Sequence, residues 1–323
     1  MSTDAGRPGN PGSSDRHPWV VRAVAAAGLL VVAWVCVTAW GAVVHGHPAY
    51  AVLLALTAMV SVAVGWRSFR PAAPRRGWRR VAGVVLLVAA AGWIAVVGWL
   101  RPFGAVEPAL DAMRSDGAVT VAETSTQIVL APTDGASGTG VLFQPGARVD
   151  PRAYAAVLHP LAEAGHTVVV AKQPLGIAFL AVGALDDARS GHPQVDRWVV
   201  GGHSLGGTVA AMEADEADDD ASAPAVGLLL YASYPAGDVS GSLTAAVESV
   251  SGTRDGLATP PKIEASRADL PPDAGFTVVD GASHAQFGDY GPQPGDGVPT
   301  LTDDAARERI AAASVQFVAG LAG

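Results

Sequence analysis

Three long apolar runs in the first hundred residues restrict what this chain can fold into. Residues 19–44 are almost wholly apolar, interrupted only by Arg22, and residues 49–66 and 81–100 repeat the pattern. A helix needs roughly 20 such residues to cross the hydrocarbon core of a bilayer, and each run is about that long or longer. The first is too long for a signal-peptide core and has no clean cleavage site, which favours a retained span. Between the second and third runs stand Arg67, Arg70, Arg75, Arg76, Arg79 and Arg80 with no acid among them. An arginine cluster beside membrane spans marks the cytoplasmic side. Counting crossings from there puts the N-terminus inside, the turn His45-Gly-His-Pro48 outside, and everything after Arg101 outside. Trp19, Trp66, Trp78 and Trp99 sit near the span ends as interfacial anchors, whereas Trp34, Trp40 and Trp93 lie inside the runs. The expectation is a multi-pass protein of the cell membrane. Residues 1–17 are expected to form a disordered tail, 18–101 a membrane domain, and 102–126 a connector to a domain at 127–323.

Charge separates the two halves. Up to Asp116, 11 arginines face 5 acids; from Gly117 on, 10 basic residues face 25 acids. An acidic surface is a poor partner for nucleic acid, whose binding depends on Lys and Arg. The one cysteine, Cys36, excludes an intramolecular disulfide, and its apolar surroundings suit a buried inert thiol. His45 and His47 have no further ligand nearby, and the acidic run from Glu213 to Asp220 matches no calcium-loop spacing. The histidines read as a loop between spans and the acids as a solvated helix end. No metal or organic cofactor is expected.

Past residue 126 short apolar runs alternate with helix-like segments. Strands are expected at 127–131, 140–144, 167–171, 197–201, 227–231, 245–250 and 275–280, with helices at 151–164, 175–185, 205–217 and 303–321. Asp150 before Pro151 is a helix start and Gly165 its stop. Strands alternating with helices predict an α/β fold, a mainly parallel sheet covered on both faces.

The stretch Trp198-Val-Val-Gly-Gly-His-Ser-Leu-Gly-Gly207 carries the chemistry. A strand runs into Gly202-x-Ser204-x-Gly206 and then into a helix, the pattern of a nucleophile elbow. The glycines relieve crowding around a serine held at the tip of a tight turn, and the helix that follows directs free N–H groups at the space above it. A serine needs a base, and His284 is the only histidine downstream of Ser204. The base needs an orienting acid. Asp255, in the loop after the penultimate strand, is the first candidate; Asp280 and Asp289 are rivals nearer His284 in sequence, and Glu248 falls inside a strand. Two backbone donors should face a developing oxyanion: the N–H of Leu205, and that of Gly146 or Ala147, since Pro145 has none.

Four segments together resemble the α/β-hydrolase superfamily, and within it the alpha/beta hydrolase family 5 group near the dienelactone hydrolases. They are Phe143-Gln-Pro-Gly-Ala-Arg-Val-Asp150 with Tyr154; Gly201-Gly-His-Ser-Leu-Gly-Gly207; Ser251-Gly-Thr-Arg-Asp-Gly256 with Thr259-Pro260; and Ser283-His-Ala-Gln-Phe-Gly-Asp-Tyr-Gly291. The resemblance implies Ser204 as nucleophile, Asp255 as acid and His284 as base. Dienelactone hydrolases use a cysteine where Ser204 stands, so their chemistry is not implied. The expectation is a membrane-anchored serine hydrolase acting on a small-molecule or lipid-like acyl ester. A non-catalytic binding module and an acyltransferase are the alternatives.

Overall fold

The computed structural model of the protein describes residues 18–70 and 77–321. The expected tail at 1–17, and Arg75 and Arg76 of the basic loop, lie outside the described residues. The chain divides into two compact units, 1–37 with 52–99, and 38–51 with 100–323.

The first unit is helical, built mainly of α1 (Pro18–Thr38), α3 (Pro48–Arg67) and α4 (Trp78–Trp99); the short α2 (Trp40–His45), between the first two in the chain, belongs to the second unit. Stretches of 20, 20 and 19 residues in α1, α3 and α4 are long and apolar enough to cross a membrane. Their side chains are apolar all round, and Leu30, Val62, Val85 and Leu86 stay more than half exposed. Among the described residues, Trp93 Nε1 donates to Thr57 Oγ1 at 3.1 Å, and Arg22 reaches Ser68 and lies 4.0 Å from the Phe69 ring centre. The first apolar run is not one continuous helix to residue 44. The helix ends at Thr38, and Ala39 leaves helical geometry at φ −142° before α2 begins. Twenty residues at about 1.5 Å each already match a hydrocarbon core of about 30 Å. Residues 38–51 belong to the second unit, where Ala42, Val43 and Tyr50 are buried. There His45 Nδ1 meets the Glu123 carboxylate at 3.1 Å, and Lys172 Nζ meets the same carboxylate at 2.8 Å.

The second unit is built on β1 (Val119–Glu123), β2 (Gln127–Pro132), β3 (Thr139–Gln144), β4 (Thr167–Ala171), β5 (Arg197–His203), β6 (Ala225–Tyr231), β7 (Ala246–Gly252) and β8 (Gly275–Val279). They form one sheet in the order β1-β2-β4-β3-β5-β6-β7-β8. β2 runs antiparallel to both of its neighbours, β1 and β4, and the remaining pairs are parallel. The helices are α5 (Ala155–Glu163), α6 (Ala184–Gly191), α7 (Leu205–Ala217), α8 (Pro260–Ala265) and α9 (Asp303–Gly320).

The period-two alternation of each strand sorts side chains onto two faces. Leu142, Val200, Leu228 and Val247 stand side by side across β3, β5, β6 and β7, and pack with Leu185, Ala188, Ala210 and Ala214 of α6 and α7. Val141, Phe143, Val199 and Leu229 face the other way, against Val157, Leu158 and Leu161 of α5 and Ile310 and Val318 of α9. Central strands buried on both faces are the continuous apolar runs expected of a parallel sheet between helical layers.

Several elements differ from expectation: α8 is an added helix, and the helix expected at 151–164 opens as a 3-10 turn (Pro151–Tyr154) before α5. β1 lies inside the expected connector; only Val119 is fully buried in it, so its strand character comes from pairing with β2 rather than from its own pattern. The helix expected at 175–185 is two short 3-10 turns, Pro174–Gly176 and Ala178–Leu180, with α6 starting only at Ala184. Left-handed φ values at Leu175, Gly176 and Gly183 interrupt any continuous helix there.

Candidate active site

The parallel strands deliver the three triad candidates to one edge of the sheet. Ser204 follows β5, Asp255 follows β7 and His284 follows β8, each at a C-terminal strand end where such sheets carry ligands. Ser204 has φ 52° and ψ −123°, a conformation that costs a side-chain-bearing residue on the order of 1–3 kcal/mol. The surroundings hold it there. Its N–H donates to Tyr231 O at 3.0 Å, and its carbonyl accepts from Ser233 Oγ at 2.6 Å and Gly207 N at 3.0 Å. A Cβ on Gly202 would lie 2.6 Å from Gly207 N, and one on Gly206 would strike the carbonyls of Gln144 and Pro145. The elbow therefore closes against both α7 and the end of β3 only with glycine at these two positions.

His284 opens a 3-10 turn (His284–Phe287) under a capping box made by Ser283 and Gln286. Its Nδ1 lies 2.8 Å from Asp255 Oδ2, with both side chains almost fully buried. Asp255 Oδ1 accepts from Leu257 N at 2.7 Å and Ala258 N at 2.8 Å, which fixes the carboxylate. A carboxylate only accepts, so the Nδ1–H donates to Asp255 and Nε2 is the ring nitrogen left to exchange a proton. That Nε2 is buried without a hydrogen-bond partner, and the hydroxyl of half-buried Ser204 has none among the described residues. The His284 ring packs 4.5 Å from the ring of His203, the neighbour of Ser204. Of the rival acids, Asp280 accepts from Thr253 Oγ1 and Asp289 faces Arg307; neither meets His284.

The backbone donors separate in the same way. The N–H of Gly146 is taken by Tyr154 Oη at 2.9 Å, whereas those of Ala147 and Leu205 have no acceptor among the described residues. Of the two alternatives at the β3 loop, Ala147 is the one left open. Tyr154 Oη also lies 2.8 Å from His203 Nδ1. Burial raises the Tyr154 phenol pKa, and burial followed by the nearby His284 drives the His203 pKa well down, so both are neutral. The phenol thus accepts from Gly146 and donates to His203, tying the β3 loop to the elbow.

A second buried network lies on the other side of that loop. Gln144 Nε2 donates to Glu213 Oε2 at 2.9 Å, and Gln173 Nε2 donates to Gln144 Oε1 and Pro145 O, both at 2.9 Å. Glu213 Oε1 accepts from Gly183 N and Leu185 N. The acidic run is therefore not solvated at its start: Glu213 is buried, and burial raises its carboxyl pKa against the opposing pull of Gln144 and these amides. The acidic run itself gives no local signal of this, because a buried acid is recognised only by its partners. Tyr154 was visible only as part of a motif, and His203 only as a residue inside the elbow. No group of three or more His, Cys, Asp or Glu that could hold a metal occurs among the described residues.

The alpha/beta hydrolase family model matches residues 140–308, just over half of the chain. No curated protein matches. Among solved structures, an esterase from Thermogutta terrifontis has 14% identity over 64% of this chain and 92% of its own, with a TM-score of 0.45. A protein from Klebsiella pneumoniae assigned as a dienelactone hydrolase has 14% identity over 64% of this chain and 99% of its own, with a TM-score of 0.46. A protein from Thermus thermophilus has 16% identity over 63% and 98%, with a TM-score of 0.44.

Proposed function

Because the chain belongs to the alpha/beta hydrolase family, we propose that this hydrolase is a membrane-anchored serine esterase working through Ser204, His284 and Asp255. The observations that support the reading are the buried His284–Asp255 pair, whose Nε2 has no hydrogen-bond partner, and the strained backbone of the elbow serine. Apo hydrogen bonds at such sites commonly tighten only with substrate.

In this reaction Ser204 Oγ attacks the acyl carbonyl carbon while its proton passes to His284 Nε2. The imidazolium is stabilised by Asp255, and the oxyanion accepts from the amides of Leu205 and Ala147. The intermediate collapses as His284 returns the proton to the departing alcohol, leaving the acyl group on Ser204. Water then attacks the acyl-enzyme, its proton passing to His284 and on to Ser204, and the carboxylic acid is released. The apolar helices of the first unit would hold the site at the outer face of the cell membrane, which makes lipid-like esters the proposed substrates. Equal turnover of membrane-embedded and soluble esters would refute that preference.

The test is labelling of the detergent-solubilised full chain with a fluorophosphonate probe, wild type beside Ser204→Ala. Labelling of the wild type alone supports an activated serine. A folded wild type that does not label, or a variant that labels equally, ends the reading.

A further inference from the structure

The carboxylate of Asp296, in the segment between the His284 turn and α9, bonds to four backbone amides. Oδ1 accepts from Gly256 N at 3.1 Å, His284 N at 3.1 Å and Gly297 N at 2.7 Å, and Oδ2 accepts from Ala285 N at 2.8 Å. Gly256 directly follows Asp255, and His284 is the candidate base itself. One side chain thus grips the backbone of the acid's loop and of the base's turn together, while the Asp255 and His284 side chains meet 2.8 Å apart.

The chemistry of the position calls for a carboxylate. Four donors converge, and only an ionised carboxylate offers enough lone pairs with no hydrogen of its own to clash. Burial raises the carboxyl pKa, but the amides of Ala285, Gly256, His284 and Gly297 outweigh it and bring it below the ordinary value. The backbone is seated as closely as the side chain. A Cβ on Gly256 would lie 2.6 Å from both Gly295 O and Gly297 N, and one on Gly297 would strike Arg254 O. The 295–297 segment therefore lies directly on the acid's loop.

We propose that Asp296 is a positioning residue that sets the separation and alignment of Asp255 and His284. The proposal rests on the serine-esterase reading. It differs from a purely structural role in one respect: loosening this clamp should change how well Asp255 stabilises the imidazolium, and not only how much protein is folded.

The experiment uses the full chain in detergent and compares wild type, Asp296→Asn and Gly256→Ala. Asparagine keeps one acceptor but turns an N–H₂ toward the amides; alanine at 256 separates the same two loops by a backbone clash instead. Rates on a soluble short-chain nitrophenyl ester and rate constants for fluorophosphonate labelling are measured across pH. Labelling rate constants are taken on the fraction that eventually labels, so unfolded protein does not enter them. The expected result for both variants is a kcat about 10–100-fold lower with KM little changed, the size of effect a misplacement of about 1 Å produces. The acid limb of the pH–rate profile should also move to lower pH, since a less well-paired imidazolium is lost more easily. Wild-type rate constants in both variants, or lower rates with an unmoved acid limb, overturn the clamp while leaving the esterase reading intact. A folded wild type that fails to label overturns both.

Discussion

Replacing Tyr154 with phenylalanine tests whether the tie between the β3 loop and the elbow matters to the proposed chemistry. The ring stays: Phe143 packs 4.9 Å from it, and a phenylalanine of nearly the same volume at this fully buried position opens no cavity of consequence. What goes is one oxygen with two partners. Gly146 N–H, which donates to it at 2.9 Å, is left buried without an acceptor, at about 1–3 kcal/mol. His203 Nδ1, 2.8 Å away, loses its donor, for about 1 kcal/mol more. The expected loss of stability is about 2–4 kcal/mol. Because burial keeps Tyr154 protonated and His203 neutral, that loss should be the same at pH 6 and pH 9. Activity should fall as well. Gly146 immediately precedes Ala147, and losing a whole oxyanion donor costs about 3–4 kcal/mol, so a donor left in place but loosened should lower kcat by about 10–100-fold. The assay is chemical denaturation of the solubilised chain at both pH values, beside kcat and KM on a soluble ester. A variant that is destabilised but keeps wild-type kcat would show that the loop is positioned without the phenol, and would remove Ala147 from the proposed oxyanion site. A stability loss that changes with pH would contradict the assigned neutral states.

Two further outcomes follow from single residues. Asp289 has its pKa pushed up to about 6, mainly by burial and against the pull of Arg307. A raised carboxyl pKa contributes stability that is fully present below the unfolded value of 3.8 and is lost as pH rises through about 6. Asp289→Asn should therefore gain stability relative to wild type between pH 4 and pH 7, by about 1–2 kcal/mol once solvent screening is allowed for; a flat difference across that range in denaturation curves would refute it. Ser204→Gly should abolish turnover yet raise stability by about 1 kcal/mol, because glycine adopts φ 52° without strain. A melting midpoint at or below that of Ser204→Ala would show that the elbow is not strained.

The strands and α7 were legible because their signals are local. β4 begins and ends at Thr167 and Ala171 as its apolar run does, and α7 spans Leu205–Ala217 because it starts where the elbow stops. Local patterning failed where a neighbour decides. β1 becomes a strand by pairing with β2, and the segment after β4 turns left-handed at Leu175, Gly176 and Gly183. The first apolar run ends its helix at Thr38, while residues 38–51 find their partners in the second unit, including Glu123 for His45.

From its residues alone this chain declares three bilayer-length helices and an α/β sheet, because hydropathy period and run length depend only on neighbours in the chain. It also declares a serine at a strand–helix junction, because that turn is closed by its own glycines. Which carboxylate meets His284, which amide of the β3 loop stays open, and where Glu213 and Asp296 place their oxygens were decided by tertiary structure. Those contacts join residues 29, 8, 69 and 40 positions apart, in Asp255–His284, Gly146–Tyr154, Gln144–Glu213 and Gly256–Asp296. Only the sheet, by bringing its strand ends to one edge, gives such pairs a common place.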